Sequence, residues 1–233
     1  MNILEHPIVF YLFGIIPVRD TVVTTWILDI FIIGFVLIIR KTFPSLLDML
    51  IESLTGFADE ILDVENLNPY LPVIGSLFIF LFTANIFSVI PVLRSPTADI
   101  NTPLALALII FFAVHLYGIW TKGFWKYITT IADPIFLLPL EIVSQISRTL
   151  SLTLRLFGNI MSSDLIVAIV FSIIPMIAPI PFIVLSLFSG ALQAYIMTTL
   201  ATLYIGFAVE ISQDEHKRKP DEMARELLQK KEI

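Results

Sequence analysis

Long apolar runs separated by short charged interruptions set the architecture of this chain. The first run covers 22–39 and is closed by Arg40 and Lys41; further runs cover 72–92, 103–120, 138–174 and 181–209. A helix needs about 20 predominantly apolar residues to cross bilayer hydrocarbon, so the first three runs read as upright spans. The fourth is too long for that. At about 1.5 Å per residue it measures about 55 Å, against about 30 Å of hydrocarbon. No proline lies between Pro139 and Pro175, so one strongly tilted helix is expected, with Gly158 the place where a kink could form. Pro175, Pro179 and Pro181 turn the chain, and 181–209 returns as a second tilted helix.

The stretch 45–63 has a different period. Leu46, Leu47, Leu50, Ile51, Leu54, Phe57, Ala58, Ile61 and Leu62 recur at helical spacing, with Asp48, Glu52, Asp59 and Asp63 opposite them. This pattern predicts an amphipathic helix lying along the interface. Its polar face is acidic where lipid-binding helices carry Lys and Arg, so a protein partner stands beside headgroups as its occupant. The resulting fold class is an all-α polytopic membrane protein: about five membrane helices, including the long tilted hairpin, plus one interfacial helix. Residues 1–21 form an external segment, 22–209 the membrane domain, and 210–233 a charged soluble tail, helical from Asp221 to Lys231.

Composition agrees with this reading. Of 233 residues 57% are hydrophobic and 15% charged, and mean hydropathy is +0.91, a balance that fits a membrane protein. The absence of cysteine excludes disulfides and thiolate metal sites. Acids cluster from Asp48 to Glu65 and again from Glu210, which argues against a nucleic-acid partner. The apolar N-terminus lacks a basic flank and a small-residue cleavage site, so no signal peptide is read there. Arg40, Lys41, Lys122, Lys126 and the basic residues of the tail fall on one side of a five-span drawing, and Arg19 and Arg94 on the other. The positive-inside rule then puts the N-terminus outside and the C-terminus in the cytoplasm.

Candidate chemistry concentrates in 138–174. Arg155 is a permanent cation among Leu152, Leu154, Leu156 and Phe157, and near a membrane centre it costs at least about 2.5–3.5 kcal/mol. Such a charge needs a carboxylate partner or a watery pocket. Glu141, Arg148 and Arg155 are spaced by seven, and Ser144, Ser151, Asn159 and Ser162 lie close to the same face, so a continuous polar stripe is expected. Elsewhere Asp29 is read as an acid at the interface or facing a neighbouring helix. Asp99 and Asn101 are read as turn and cap residues, and His115 as a hydrogen-bonded core or interface histidine.

The string SLTLRLFGN from Ser151 to Asn159, with Asp164 after it and LQAYI from Leu192 to Ile196, resembles the a subunit of F-type ATP synthase. RSPTADINT from Arg94 to Thr102 resembles the same family, and the match extends from about Trp26 to Val209. The acid is Asp164 where many relatives have Glu, and no histidine or acid stands around Ser186. The resemblance implies a membrane stator that carries H⁺ or Na⁺ between two half-channels and the carboxylates of a rotating c-ring. It implies that each c carboxylate ionises as it passes Arg155, which also blocks a direct leak. By similarity, Asp164 and Asn159 line the external half-channel, Gln193 lies near Arg155, and Glu141, Arg148 and Ser151 line the cytoplasmic one. The implied partners are the c-ring, peripheral-stalk b subunits and lipid. No cofactor, metal or catalytic residue is implied, and the chain is no enzyme on its own. The implied site of action is an energy-transducing membrane, the bacterial inner membrane.

Two other classes fit the sequence less well. A stand-alone transporter or channel would show inverted repeats and broken helices in both halves, and neither is found. A membrane enzyme would need a nucleophile–base pair or a ligand cluster, for which three scattered histidines and no cysteine offer little material.

Overall fold

A computed structural model describes residues 8–12, 16–62, 67–88, 96–131, 138–174 and 177–229, with backbone alone at 8–10, 12, 16–17, 130–131 and 210–229. Pro91, Arg94, Pro175 and the end of the tail at 230–233 lie outside the described residues. The described chain runs β1 (Ile8–Leu12), β2 (Ile16–Arg19), α1 (Asp20–Thr42), α2 (Pro44–Asp59), α3 (Leu71–Phe87), a short 3₁₀ turn (Pro96–Ala98), α4 (Asn101–Lys122), α5 (Phe124–Ile131), α6 (Leu138–Ile173) and α7 (Pro179–Gln229). By length and hydropathy α1, α4, α6 and the stretch Pro179–Val209 of α7 can each cross a membrane, and α3 is a shorter apolar helix. The protein is an all-α polytopic membrane protein, with one small antiparallel hairpin, β1 against β2, ahead of its first helix.

Local chemistry sets the helix ends. Asp20 lies in the first turn of α1 and Arg40 and Lys41 in its last, each charge complementing the helix dipole. Pro44 opens α2 and Pro72 stands in the first turn of α3, positions that have no intrahelical N–H bond to lose. Gly123 closes α4 at φ +79°, a conformation glycine adopts without strain, and the chain turns at once into α5. In α6 nothing interrupts the 36-residue helix, Gly158 included. The backbone of α7 likewise continues for 51 residues through Pro220, beyond the limit of 209 expected from hydropathy. Between Val209 and Pro220 the sequence has neither a glycine cap nor a proline, so no signal ends the helix where apolarity ends.

Helix α7 is the centre of the bundle. Its Ala194, Met197 and Ala201 pack with Leu77 and Leu81 of α3, Leu106, Ala107 and Ile110 of α4, and Leu152 and Leu156 of α6. Midway along α7, Ile205 and Val209 pack with Ala58 of α2, Leu62 just after α2, Tyr70 and Ile74. Small residues allow these close approaches, as expected where lipid offers no hydrophobic drive between helices. Helix α1 is less tightly held: only Thr21, Thr24 and Leu28 are buried, and Trp26, Ile30, Phe31, Ile33, Phe35, Leu37 and Ile38 are exposed. Its start is fastened to α4. Arg19 Nη1 lies 3.0 Å from Asp99 Oδ2, and the Thr21 hydroxyl donates to the same oxygen at 3.2 Å. Asp99 Oδ1 accepts from the backbone N–H and side-chain amide of Asn101 at 3.2 and 2.9 Å, forming the turn that opens α4.

The close contact between α7 and α3 at Gly190 gives a test. A Cβ on Gly190 would lie 2.8 Å from Asn85 Cβ, which cannot swing away as a chain end would. Gly190→Ala is therefore expected to lower stability by about 1–3 kcal/mol through overpacking. Gly34→Ala, with nothing within 4 Å, should be neutral or slightly stabilising. Thermal midpoints of the two variants in the same detergent decide between them.

Candidate functional site

Helix α6 divides its polar residues between two faces. Leu152, Thr153, Leu156 and Ile160 are buried against α4 and α7. Val143, Ile146, Ser147, Leu150, Ser151, Leu154 and Arg155 instead line an open groove of ≈ 730 Å³ along the outer surface of α6. Arg155 is exposed there and makes no hydrogen bond or ion pair among the described residues. A guanidinium offers five donors and never loses its charge, so this groove presents an uncompensated cation on an apolar bed.

Arg148, one heptad earlier, points elsewhere. Its guanidinium lies 4.2 Å above the Tyr204 ring of α7, in a small space it shares with His115, Gln145 and Thr149. Glu141 is a further heptad earlier and accepts a 3.0 Å hydrogen bond from the Gln145 amide. The stripe expected from sequence is thus split, and the drift of about 20° per heptad is the reason. Across two heptads the charged positions move from the edge of the packed face, at Glu141, to the edge of the open face, at Arg155. Ser151, one turn before Arg155, stays with it in the groove.

Beyond Arg155 the polar groups gather around α7. The Ser189 hydroxyl donates to Asn159 Oδ1 at 2.7 Å, and Asn159 Nδ2 approaches the Ser189 carbonyl at 3.4 Å. On the next residue, the Gly190 carbonyl accepts from Asn85 Nδ2 of α3 at 2.7 Å. Gln193 sits one turn further on the same face of α7. Both Asn85 and Gln193 are buried, yet Asn85 Oδ1 and Gln193 Nε2 have no partner among the described residues. An orphan acceptor and an orphan donor of this kind each cost about 1–3 kcal/mol where nothing meets them. Sequence reasoning left Asn85 and Ser189 aside. An Asn inside an apolar span was the available signal for the first, and a lone Ser among many gave none for the second.

Asp164 follows Arg155 by nine residues, which turns it about 180° round the helix axis. It is half-buried and makes no hydrogen bond among the described residues. The structure therefore brings Asn159, Ser189, Asn85 and Gln193 together, sets Arg155 and Ser151 in the outer groove, and leaves Asp164 on the other side of α6. His115 donates from Nδ1 to the Phe111 carbonyl at 2.7 Å and stacks with Phe111. Among the described residues no group of His, Cys, Asp or Glu is placed to hold a metal.

A family model described as ATP synthase A chain matches residues 22–206. A Bradyrhizobium protein named ATP synthase subunit a 2 is 41% identical over 208 residues, covering 85% of this chain and 93% of that one. A Picosynechococcus protein of the same name is 34% identical over 223 residues, with 91% and 95% covered. ATP synthase subunit a 1 of Prosthecochloris aestuarii is 36% identical over 227 residues, with 92% and 100% covered.

The Asn159–Ser189 bond joins the two long helices and can be weighed directly. A double-mutant cycle on Asn159→Ala and Ser189→Ala should give a coupling of about 0.5–1.5 kcal/mol, the worth of one hydrogen bond. Strict additivity of the two thermal shifts would mean that the pair does not act as a unit.

Proposed function

This chain belongs to the ATP synthase A chain family, and on that basis we propose that it is the ion-translocating stator of an F-type synthase, with Arg155 as its electrostatic pivot. The observation that supports this reading is the groove of α6, where an exposed guanidinium, unpaired among the described residues, stands at the edge of a largely apolar face. Inside a bilayer that charge demands an anion, and the described residues supply none within reach. A rotor whose subunits each present one carboxylate answers the demand. As a carboxylate comes beside Arg155, the adjacent cation favours its ionised form and its ion leaves. As it moves off into apolar surroundings, burial favours neutralisation and an ion is taken up again. Rotation follows if release and uptake are connected to opposite sides of the membrane.

On this reading Glu141, Arg148 and Ser151 line the cytoplasmic half-channel, and Asn159, Asp164 and Gln193 the external one, with Asn85 and Ser189 added beside them. Arg155 separates the two, since it repels cations and cannot relay a proton. H⁺ is the ion proposed, the choice between H⁺ and Na⁺ lying chiefly in the rotor carboxylate site. The driving force is the membrane field, about 2.3 kcal/mol per charge per 100 mV. The groove docks the c-ring, and b subunits of a peripheral stalk hold the stator still. The chain itself is a non-catalytic subunit. Five spans with the N-terminus outside and the C-terminus cytoplasmic, in a bacterial inner membrane, accord with its one-sided basic residues.

In the assembled complex Arg155→Ala removes the cation of the proposed pair with the rotor carboxylate, a change worth about 3–5 kcal/mol once the pair is covered. Ion-driven ATP synthesis by reconstituted complexes should then fall at least about a hundredfold, with subunit composition unchanged on a native gel. Normal synthesis in this variant would overturn the assignment. Sidedness gives an independent check in a chain without native cysteine. Asp164→Cys should react with a membrane-impermeant thiol reagent from outside, and Ser151→Cys from the cytoplasmic face. Labelling in the reverse sense would refute the channel assignment even with Arg155 essential.

A further inference from the structure

Helix α1 carries an acid that the proposed ion route does not use. Asp29 stands nine residues after Asp20 and thirteen before Thr42, so about 13 Å and 20 Å of helix separate it from the two ends. That puts it near the middle of a helix long enough to cross the hydrocarbon. It is partly exposed and makes no hydrogen bond or ion pair among the described residues. Its own helix does not serve it. The Thr25 hydroxyl, one turn earlier, donates to the Thr21 carbonyl at 2.8 Å, and that of Thr24 to the Asp20 carbonyl at 3.0 Å. Arg19, just ahead of α1, is bonded to Asp99, and Arg40 and Lys41 lie about 17 Å along the axis in the last turn.

The side on which Asp29 stands is open. One residue past buried Leu28, it is turned about 100° from the packed face of α1. Trp26 and Ile33, three residues before and four after, share its flank and are 45% and 60% exposed. Helix α1 packs chiefly on α2, α3 and the 3₁₀ turn, so this flank is not the groove of Arg155.

We propose that the Trp26–Asp29–Ile33 flank of α1 binds a transmembrane helix of another subunit, whose basic side chain pairs with Asp29. An acid at the centre of a span is among the costliest residues to place in a bilayer, and such residues are met by a partner or by water. Headgroups and soluble domains act at the helix ends, more than two turns from Asp29. A transmembrane helix brings a charge to this depth with its own backbone satisfied. Lys or Arg answers a carboxylate with opposite charge and hydrogen-bond donors together, and Trp26 and Ile33 offer apolar surface on either side of the pair. This inference rests on the stator reading and extends it by giving α1 a stationary partner. Its test reads assembly rather than ion transport, so a failure of either is visible without the other.

The test places a photoreactive phenylalanine analogue at Ile33 of the complete complex in its membrane. A second complex carries it at Ile27, which is 46% exposed and turned about 160° from Asp29. Ile33 should capture one subunit, and peptide mapping should place the adduct in an apolar span with a Lys or Arg within about one turn. Asp29→Leu should lower that capture, and the retention of the captured subunit through detergent washing, by about 3–20-fold, the worth of one polar contact inside a membrane. Leucine suits lipid better than aspartate, so this variant does not act by weakening α1 itself. Asp29→Lys should abolish capture, and replacing the partner's basic residue by Glu should restore it. Adducts with lipid or with the chain itself, an adduct in a span without a basic residue, equal capture from Ile27, or capture unchanged in Asp29→Leu would each overturn the proposal. If Asp29→Leu does not assemble, the mapped adduct of the chain with Asp29 intact decides alone.

Discussion

Hydrocarbon offers no hydrogen bonds, so a polar group inside a bilayer must find its partner within the chain, in another protein or in water. The hydroxyls of this bundle meet that demand locally. Thr24, Thr25, Thr153, Thr198 and Thr202 each donate to the carbonyl four residues earlier, which leaves their helices self-contained. Asn159 with Ser189 and Asn85 with Gly190 meet it across helices. Among the described residues that no such bond serves are Arg155 in the outer groove, the free ends of Asn85 and Gln193, half-buried Asp164 and, on α1, Asp29. Apart from Asp29 they lie on α3, α6 and α7, around the contact of the two long helices.

The fold that holds these groups depends on one helix. Because α7 touches α3, α4 and α6 through Ala194, Met197 and Ala201, a change of its height or rotation would be felt by each neighbour together. Gly190 and Gly206 lie at its tightest approaches, against Asn85 and Leu62. The orphan amide of Gln193 stands between these two glycines, where the helix has least freedom to relax. Arg155, in contrast, is exposed on the outer face of α6, and no described residue bonds to it. The rigid groups face inward, and the charge faces outward from the bundle.

Much of this was legible in the sequence, for physical reasons. Hydropathy marks α1, α3, α4, α6 and α7 because burial in lipid asks for apolar residues on every side of a helix. Proline spacing marks α6 as a single unbroken rod. The hairpin β1–β2 and the short helix α5 were missed, since each is brief and rests on neighbours rather than on its own pattern. Tyr127 of α5, for instance, packs directly on Gly118 of α4, a contact that no periodicity announces. A heptad could be read from Glu141, Arg148 and Arg155, but which way each residue faces depends on how α6 crosses α7. For Arg148 the answer came from Tyr204, more than fifty residues later in the chain.

The clasp between Arg19 and Asp99 carries a consequence for biosynthesis. The two residues are 80 positions apart, and α1 buries little beyond Thr21, Thr24 and Leu28. At about 5–20 residues per second, a ribosome needs about 4–16 s to travel from one to the other. During that interval the first helix has only its packing on α2 and α3, such as Phe31 against Phe87, and its exposed Trp and Ile side chains suit it to wait in lipid. Arrival of the Asp99 carboxylate then fastens α1 at the moment the α4 turn forms. A nascent chain halted before Asp99 should hold its first helix loosely, and one halted after α4 should hold it fast.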